Sequence, residues 1–194
     1  SASMPIVNHR TSAGKIVPEH SSEGPRQFFY LHARMKSRII YLTVTKGGET
    51  MKLQTLRLEL RPMECADFDA LCGILQDAEV MYAYEHAFSE EEVRAWLEKQ
   101  QNNYRQYGFG LWAAVEKTSG RMIGQCGLTM QKIRDLEALE IGYLFRKDAW
   151  HQGYATEAAM ACKAYAFETL RAERVCSIIR DTNLASQRVA QRNG

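Results

Sequence analysis

Residues 150–167 read WHQGYATEAAMACKAYAF. His-Gln leads into Gly153, a small residue (Ala155) follows two positions later, and the rest has helical composition. Such a turn lies where a strand hands over to a helix. Successive backbone N–H groups then point at one spot, and the helix N-terminus adds about half a positive charge, so the place suits an anion. Gly153 permits a positive φ or a close backbone approach, and Ala155 keeps the surface low. The loop has no lysine, and neither G-x-x-x-x-G-K-[ST] nor G-x-G-x-x-G is present, which disfavours a triphosphate loop and a dinucleotide fold. By local chemistry alone, an anion site and an ordinary turn both stay open.

Working outward, Glu137–Phe145 before the loop and Glu173–Arg180 after it read as strands, and residues 183–193 as a helix. Phe109–Glu116 and Met122–Gln131 are strands joined by the turn Lys117-Thr118-Ser119-Gly120. Leu56, Leu58 and Leu60 alternate with charged residues until Pro62, predicting a half-buried strand. Phe68, Leu71, Cys72 and Leu75 recur at helical spacing. Ser89-Glu90-Glu91-Glu92 opens a second helix with a capping box. It runs to about Tyr107, with Val93, Trp96 and Leu97 on one side. Between these helices lies the aromatic loop MYAYEHAF, residues 81–88. The predicted order from Met51 is β-α-α-β-β-β-α-β-α, an α/β (α+β) domain with a meander at its centre.

The chain has 194 residues, 45% of them hydrophobic and 25% charged, enough for one domain with a sizeable core. The net charge of +2 hides an asymmetry: residues 1–50 carry seven Lys/Arg against three Glu. Those 50 residues are expected to be a leader or N-terminal extension, with the domain proper over 51–194; Met51 looks like a natural start. Within the leader, Phe28–Leu31 and Arg38–Thr45 have strand propensity. Cys65, Cys72, Cys126, Cys162 and Cys176 form no C-x-x-C pair and are odd in number, which predicts buried free thiols in a reducing cytoplasm. No apolar run suffices for a bilayer, the start lacks a signal-peptide pattern, and His9, His20 and His32 have no metal-ligand spacing. Neither nucleic acid, membrane nor metal is expected as a partner.

LEIGYLFRKDAWHQGYATEAAMACKAYAF, residues 139–167, resembles the acetyl-CoA-binding core of the GNAT acetyltransferase superfamily, and within it the RimJ/RimL-like branch. Glu140-Ile141-Gly142-Tyr143 matches the E-I-G-Y strand and Trp150 to Ala158 the W-x-x-G-Y-A-T-E-A loop; of the D-x-x-N-x-x-S that follows, Asn183 and Ser186 match the N-x-x-S, with Asp181 just before them. The element order agrees over Leu53–Gly194. The Arg or Gln common at the loop start is Trp150 here, which removes one side-chain contact. The resemblance implies a mixed, mostly antiparallel central sheet flanked by helices. It also implies transfer of acetyl from acetyl-CoA (CoA) to a small-molecule or peptide amine by direct attack.

The resemblance then assigns sites. The pyrophosphate lies on amides of Trp150, His151, Gln152, Gly153, Tyr154, Ala155 and Thr156. The pantetheine arm runs beside Tyr143, Leu144 and Phe145 like an added strand. Asn183 binds the arm, and Ser186 sits near the sulfur as acid for the thiolate. The N–H near Leu144 is the expected oxyanion donor and Glu140 the candidate base. For the acceptor, aromatic rings with a carboxylate suit an amine: Tyr82, Tyr84 and Glu85, with Trp112 and Gln125 lining the pocket. Each also has a plain structural reading, as packing or as a solvated charge.

Related enzymes continue past Arg192-Asn193-Gly194 with two more strands, so the domain is expected to lack them and to leave a sheet edge open. Leader strands cover that edge, a second copy of the chain covers it as a homodimer, or the edge stays open and the site is damaged. A catalytically inert acyl-CoA-binding or regulatory module is the alternative to an enzyme.

Overall fold

The computed structural model describes residues 26–31, 52–133 and 136–194. Its strands are β1 (Arg26–Leu31), β2 (Leu53–Gln54), β3 (Leu58–Arg61), β4 (Leu111–Glu116), β5 (Met122–Ile133), β6 (Leu136–Phe145) and β7 (Val175–Arg180). Its helices are α1 (Phe68–Leu75), α2 (Glu90–Tyr107), α3 (Tyr154–Ala164) and α4 (Leu184–Asn193). From Leu53 onward the order is the one expected. The strands form one sheet in the order β1-β7-β6-β5-β4-β3-β2. Every pairing is antiparallel except β6 with β7.

Period-2 alternation sorts the side chains onto two faces. Cys126 and Leu128 on β5, Ile141 and Phe145 on β6, and Trp112 and Ala114 on β4 pack with Ala158, Ala161 and Cys162 of α3. Leu111 and Ala113 face the other way, with Leu71 and Leu75 of α1 and Val93 and Leu97 of α2. The alanines of α3 give that helix a small face and a close approach to the sheet. Ser89 caps α2 as its sequence predicts: its hydroxyl accepts from Glu92 N–H at 3.3 Å, and Glu92 Oε2 accepts from Ser89 N–H at 2.7 Å.

Two expectations change. The strand read through Leu56 is broken there. Thr55 N–H donates to Leu58 C=O at 2.9 Å, closing a tight turn between β2 and β3. Leu56 is therefore 77% exposed while Leu58 and Leu60 are fully buried. The helix read through Phe167 loosens into a π-helical turn over Tyr165–Thr169. Of the cysteines, Cys126, Cys162 and Cys176 are buried, but Cys65 is exposed and Cys72 half-buried, and all are free.

The edge of β7 is covered within the chain. Residues 26–31 pair with it in full register, from Arg26 opposite Arg180 to Leu31 opposite Val175. The second leader run, Arg38–Thr45, the candidate start at Met51 and His9, His20 and His32 lie outside the described residues.

Candidate active site

Between β6 and β7 the sheet splits. β6 pairs with β5 along its whole length, but it meets β7 only at Leu139 and Glu140. Beyond Glu140 the two strands diverge and leave a notch. Arg146 N–H donates to Ile123 C=O on the β5 side. In a ladder where alternate residues point to opposite edges, Leu144 N–H therefore also faces β5, opposite Gln125, and the N–H groups of Tyr143 and Phe145 face the notch. Of the N–H groups near Leu144, where an oxyanion donor is expected, Leu144's own therefore faces β5 and not the notch.

Beside the notch stands the start of α3. Lys147–Ala149 forms a single helical turn, and Trp150 follows with its indole N–H donating to Phe145 C=O at 2.8 Å. Gln152 Nε2 holds Asp148 C=O at 2.9 Å. His151 has φ 61° and Gly153 φ 83°, both left-handed. A non-glycine residue in that region carries strain of order 1 kcal/mol or more. The two reversals fold the loop back onto the helix end. Among the described residues, the N–H groups of Tyr154, Ala155 and Thr156 have no acceptor within the chain. Three free amides on a helix N-terminus form an anion cradle, and Gly153 is where the chain needs its glycine.

A clamp not foreseen from the sequence holds this cradle. Glu157 Oε1 accepts from Thr55 Oγ1 at 2.6 Å and Arg57 N–H at 2.8 Å, and its Oε2 from Arg57 Nε at 2.7 Å. Arg57 Nη1 also donates to Gln152 C=O at 2.9 Å. Burial pushes the Glu157 carboxyl up, but these bonds outweigh it and leave the pKa below the usual value. The β2–β3 turn therefore grips the first turn of α3 from a hundred residues away, a distance over which no local pattern carries a signal.

A groove of about 1930 Å³ runs from the cradle through the notch and onto the α1–α2 face. It collects most of the predicted site residues. Trp150, His151, Tyr154, Ala155 and Thr156 line one part, with Asn183 and Ser186 nearby. Tyr82, Tyr84, Glu85, Gln125 and Glu140 line the other. Trp112 does not belong. It is fully buried on the α3 side, edge-on to Tyr165 with ring centres 5.5 Å apart, because alternation in β4 turns it away from the groove. Tyr143 contributes backbone; its side chain points to the α3 side and donates to Ser186 C=O at 2.7 Å, supporting α4. Asn183 caps α4: its Oδ1 accepts from Ser186 N–H at 3.0 Å and from Tyr82 OH at 2.6 Å. That second bond straps the aromatic loop to the α4 end. Ser186 Oγ has no partner among the described residues.

Glu140 sits in the crotch where the strands part. Its carboxylate accepts from Gln131 Nε2 at 2.7 Å, from Thr129 Oγ1 at 3.2 Å and, at 3.4 Å, from Ile178 N–H on β7. It caps an amide that the splayed ladder would otherwise orphan. Burial raises its pKa, and the three bonds and the charge of Arg26 on β1 only partly offset this. Burial and then the charge of Glu140 push Tyr84 up to about 12, so that phenol stays protonated at neutral pH. Burial likewise holds the Cys176 thiol up at about 12, and Cys126 rises by burial and by the Cys162 thiol 3.5 Å away. Neither is a thiolate nucleophile. Arg26, Trp96, Thr129 and Gln131 also line the groove, and only the fold brings them there.

A meander that splits at its one parallel pair, with a free-amide helix start beside the split, defines the GNAT fold. The chain belongs to the Acetyltransferase (GNAT) domain family, which matches residues 57–194. It is 40% identical over 144 residues to "Uncharacterized protein YkkB" of Bacillus subtilis (strain 168), covering 74% of this chain and 84% of that one. It is 28% identical over 145 residues to "Uncharacterized N-acetyltransferase YnaD" of the same organism, covering 74% and 82%. Among solved structures, the acetyltransferase from Agrobacterium tumefaciens str. C58 is similar at TM-score 0.68 and 27% identity, over 77% of this chain and 86% of that one. Acetyltransferases of this family use acetyl-CoA.

Proposed function

We propose that the chain is an acetyl-CoA-dependent N-acetyltransferase of RimJ/RimL-like type. It moves an acetyl group by direct attack onto an amine, either a protein N-terminus or a small amine. The observation that carries this reading is the continuity of the α3 amide cradle with the β6–β7 notch. The residues fit the cofactor. Free amides at Tyr154–Thr156 suit a pyrophosphate, and the N–H groups of Tyr143 and Phe145 that face the notch suit the carbonyl groups of a pantetheine arm. Bound there, acetyl-CoA supplies the acetyl group as a thioester.

The protein's own groups do the rest. The N–H of Tyr143 or Phe145 donates to the carbonyl oxygen as charge builds on it. Glu140, with its raised pKa, takes the proton of the incoming ammonium directly or through water. Ser186 Oγ gives its proton to the departing thiolate and regains one from the proton that the substituted nitrogen sheds as the amide forms. No acyl-enzyme is needed, which agrees with the neutral thiols of Cys126 and Cys176. Free cysteines also suit a reducing, cytoplasmic setting.

Two readings are separated by one pair of assays. Acetyl-CoA added at a hundred times its Kd raises the unfolding free energy by about 2.7 kcal/mol, seen as a higher Tm. Free thiol is then followed with peptides, polyamines and aminoglycosides as acceptors. Thiol release with at least one amine is the expected result. A raised Tm without thiol release for any of them leaves an acyl-CoA-binding module, and no change in Tm removes both readings.

A further inference from the structure

Gln125 carries an unused donor in the acceptor half of the groove. The residue is 1% exposed and lines the groove wall. Trp96 Nε1 donates to its Oε1 at 3.0 Å. An indole N–H is a donor only, so this bond fixes which end of the amide is oxygen. The other end must be the NH₂ group, and Nε2 has no partner among the described residues. A buried donor left unpaired costs free energy that a folded protein rarely accepts without a use.

The placement suggests the use. Gln125 lies opposite Leu144 in the β5–β6 ladder, directly across from the stretch that borders the notch. Gly127 and Gly142, also opposite each other, leave a bare floor between Gln125 and the Thr129–Glu140 pair. Thr129 lies four residue steps along the strand from Gln125, about 13 Å. The acceptor side of the groove thus has a carboxylate at one end, a side-chain-free floor, and at the other end a wall residue with an unpartnered amide donor. Trp96 is itself held edge-on to Phe88 with ring centres 5.7 Å apart, so the amide is fixed before any ligand arrives.

We infer that Gln125, oriented by Trp96, is a specificity-determining residue: it donates to an oxygen close to the reacting amine, and so selects acceptors bearing such an oxygen over plain alkylamines. This rests on the acetyl-transfer reading for the identity of the ligand, but not for the hydrogen bond. The oxygen is either a carbonyl, as in an α-amino amide, or a hydroxyl, as in an amino alcohol. A site built to hydrogen-bond an oxygen rejects the analogue lacking it, because its own polar group is then stranded.

The test pairs each oxygen with a carbon replacement. Trialaninamide is compared with its isostere in which the first peptide bond is a trans-alkene, and 2-amino-1-propanol with 2-aminobutane. Binding to the CoA-saturated protein is measured by calorimetry, and thiol release from acetyl-CoA is followed separately. The variants are Gln125→Met, which keeps the length, and Gln125→Glu, which keeps the acceptor for Trp96 but removes both donors. Comparing oxygen-to-carbon ratios between variants cancels the different basicities of the amines. In at least one pair the wild type should prefer the oxygen compound by about ten- to a hundredfold. Both variants should lose that preference while keeping the wild-type Tm rise with CoA. Equal ratios in wild type and variants, or no binding by any of the four compounds, overturns the inference. Thiol release without an oxygen preference sinks this inference and leaves the transfer reading standing. A Gln125-dependent preference without thiol release does the reverse.

Discussion

At the scale of the residue, Glu140 makes the sharpest statement. It is a carboxylate that three donors hold and that burial nonetheless pushes up. The sign follows from linkage. A carboxyl whose folded pKa exceeds its unfolded value contributes its full stability below the unfolded pKa, and that contribution is lost as pH rises through the folded pKa. Replacing Glu140 by Gln should therefore flatten the fall of stability above pH 4.5. Wild type should lose ground to the variant as pH climbs through the raised value. Acetyl transfer should fall by roughly a hundredfold or more in the variant, and the acid limb of the wild-type pH–rate profile should vanish with it. Chemical denaturation across pH and initial-rate kinetics check the two halves; a variant with the wild-type acid limb rules Glu140 out as base. Of the residues in this pocket, Gln125 and Glu140 were legible in the sequence and Trp112 was misassigned. Alternation separates the two faces of a strand but does not say which face meets the groove. Trp96 and Arg26 were not legible, because only tertiary packing brings α2 and β1 to β5 and β6.

At the scale of the element, α3 was the most readable part of the molecule. A glycine at the turn, small residues on one face and a long apolar run leave little choice. The strands of the meander were found within a residue or two for the same reason of periodicity. The β2–β3 hairpin was misread because three alternating leucines satisfy a strand pattern, while the tight turn at Thr55–Leu58 depends on Glu157 far along the chain. The strand β1 tests the architecture directly. Its six residues cover the edge of β7, whose backbone would otherwise be open to solvent or to another chain. In hydrogen exchange, amides of Val175–Arg180 that face β1 should be protected, and a proline at Phe28 or Phe29 should speed their exchange without changing that of β4 and β5. Equal, fast exchange at β7 with and without the proline would mean that β1 does not hold the edge.

At the scale of the whole molecule, function comes from one defect in an otherwise continuous sheet. β6 belongs wholly to the β5 ladder, so it cannot follow β7, and the chain places a helix start at the gap. The stretch 150–167 announced the helix start, but the groove itself arises from register, which no short motif encodes. The most direct measurement is backbone amide NMR of the labelled protein titrated with coenzyme A. The account predicts that the largest shifts fall together on Gln152–Thr156 and on Tyr143–Phe145, the cradle and the notch. Shifts confined to other surfaces, or none at saturating coenzyme A, would contradict it.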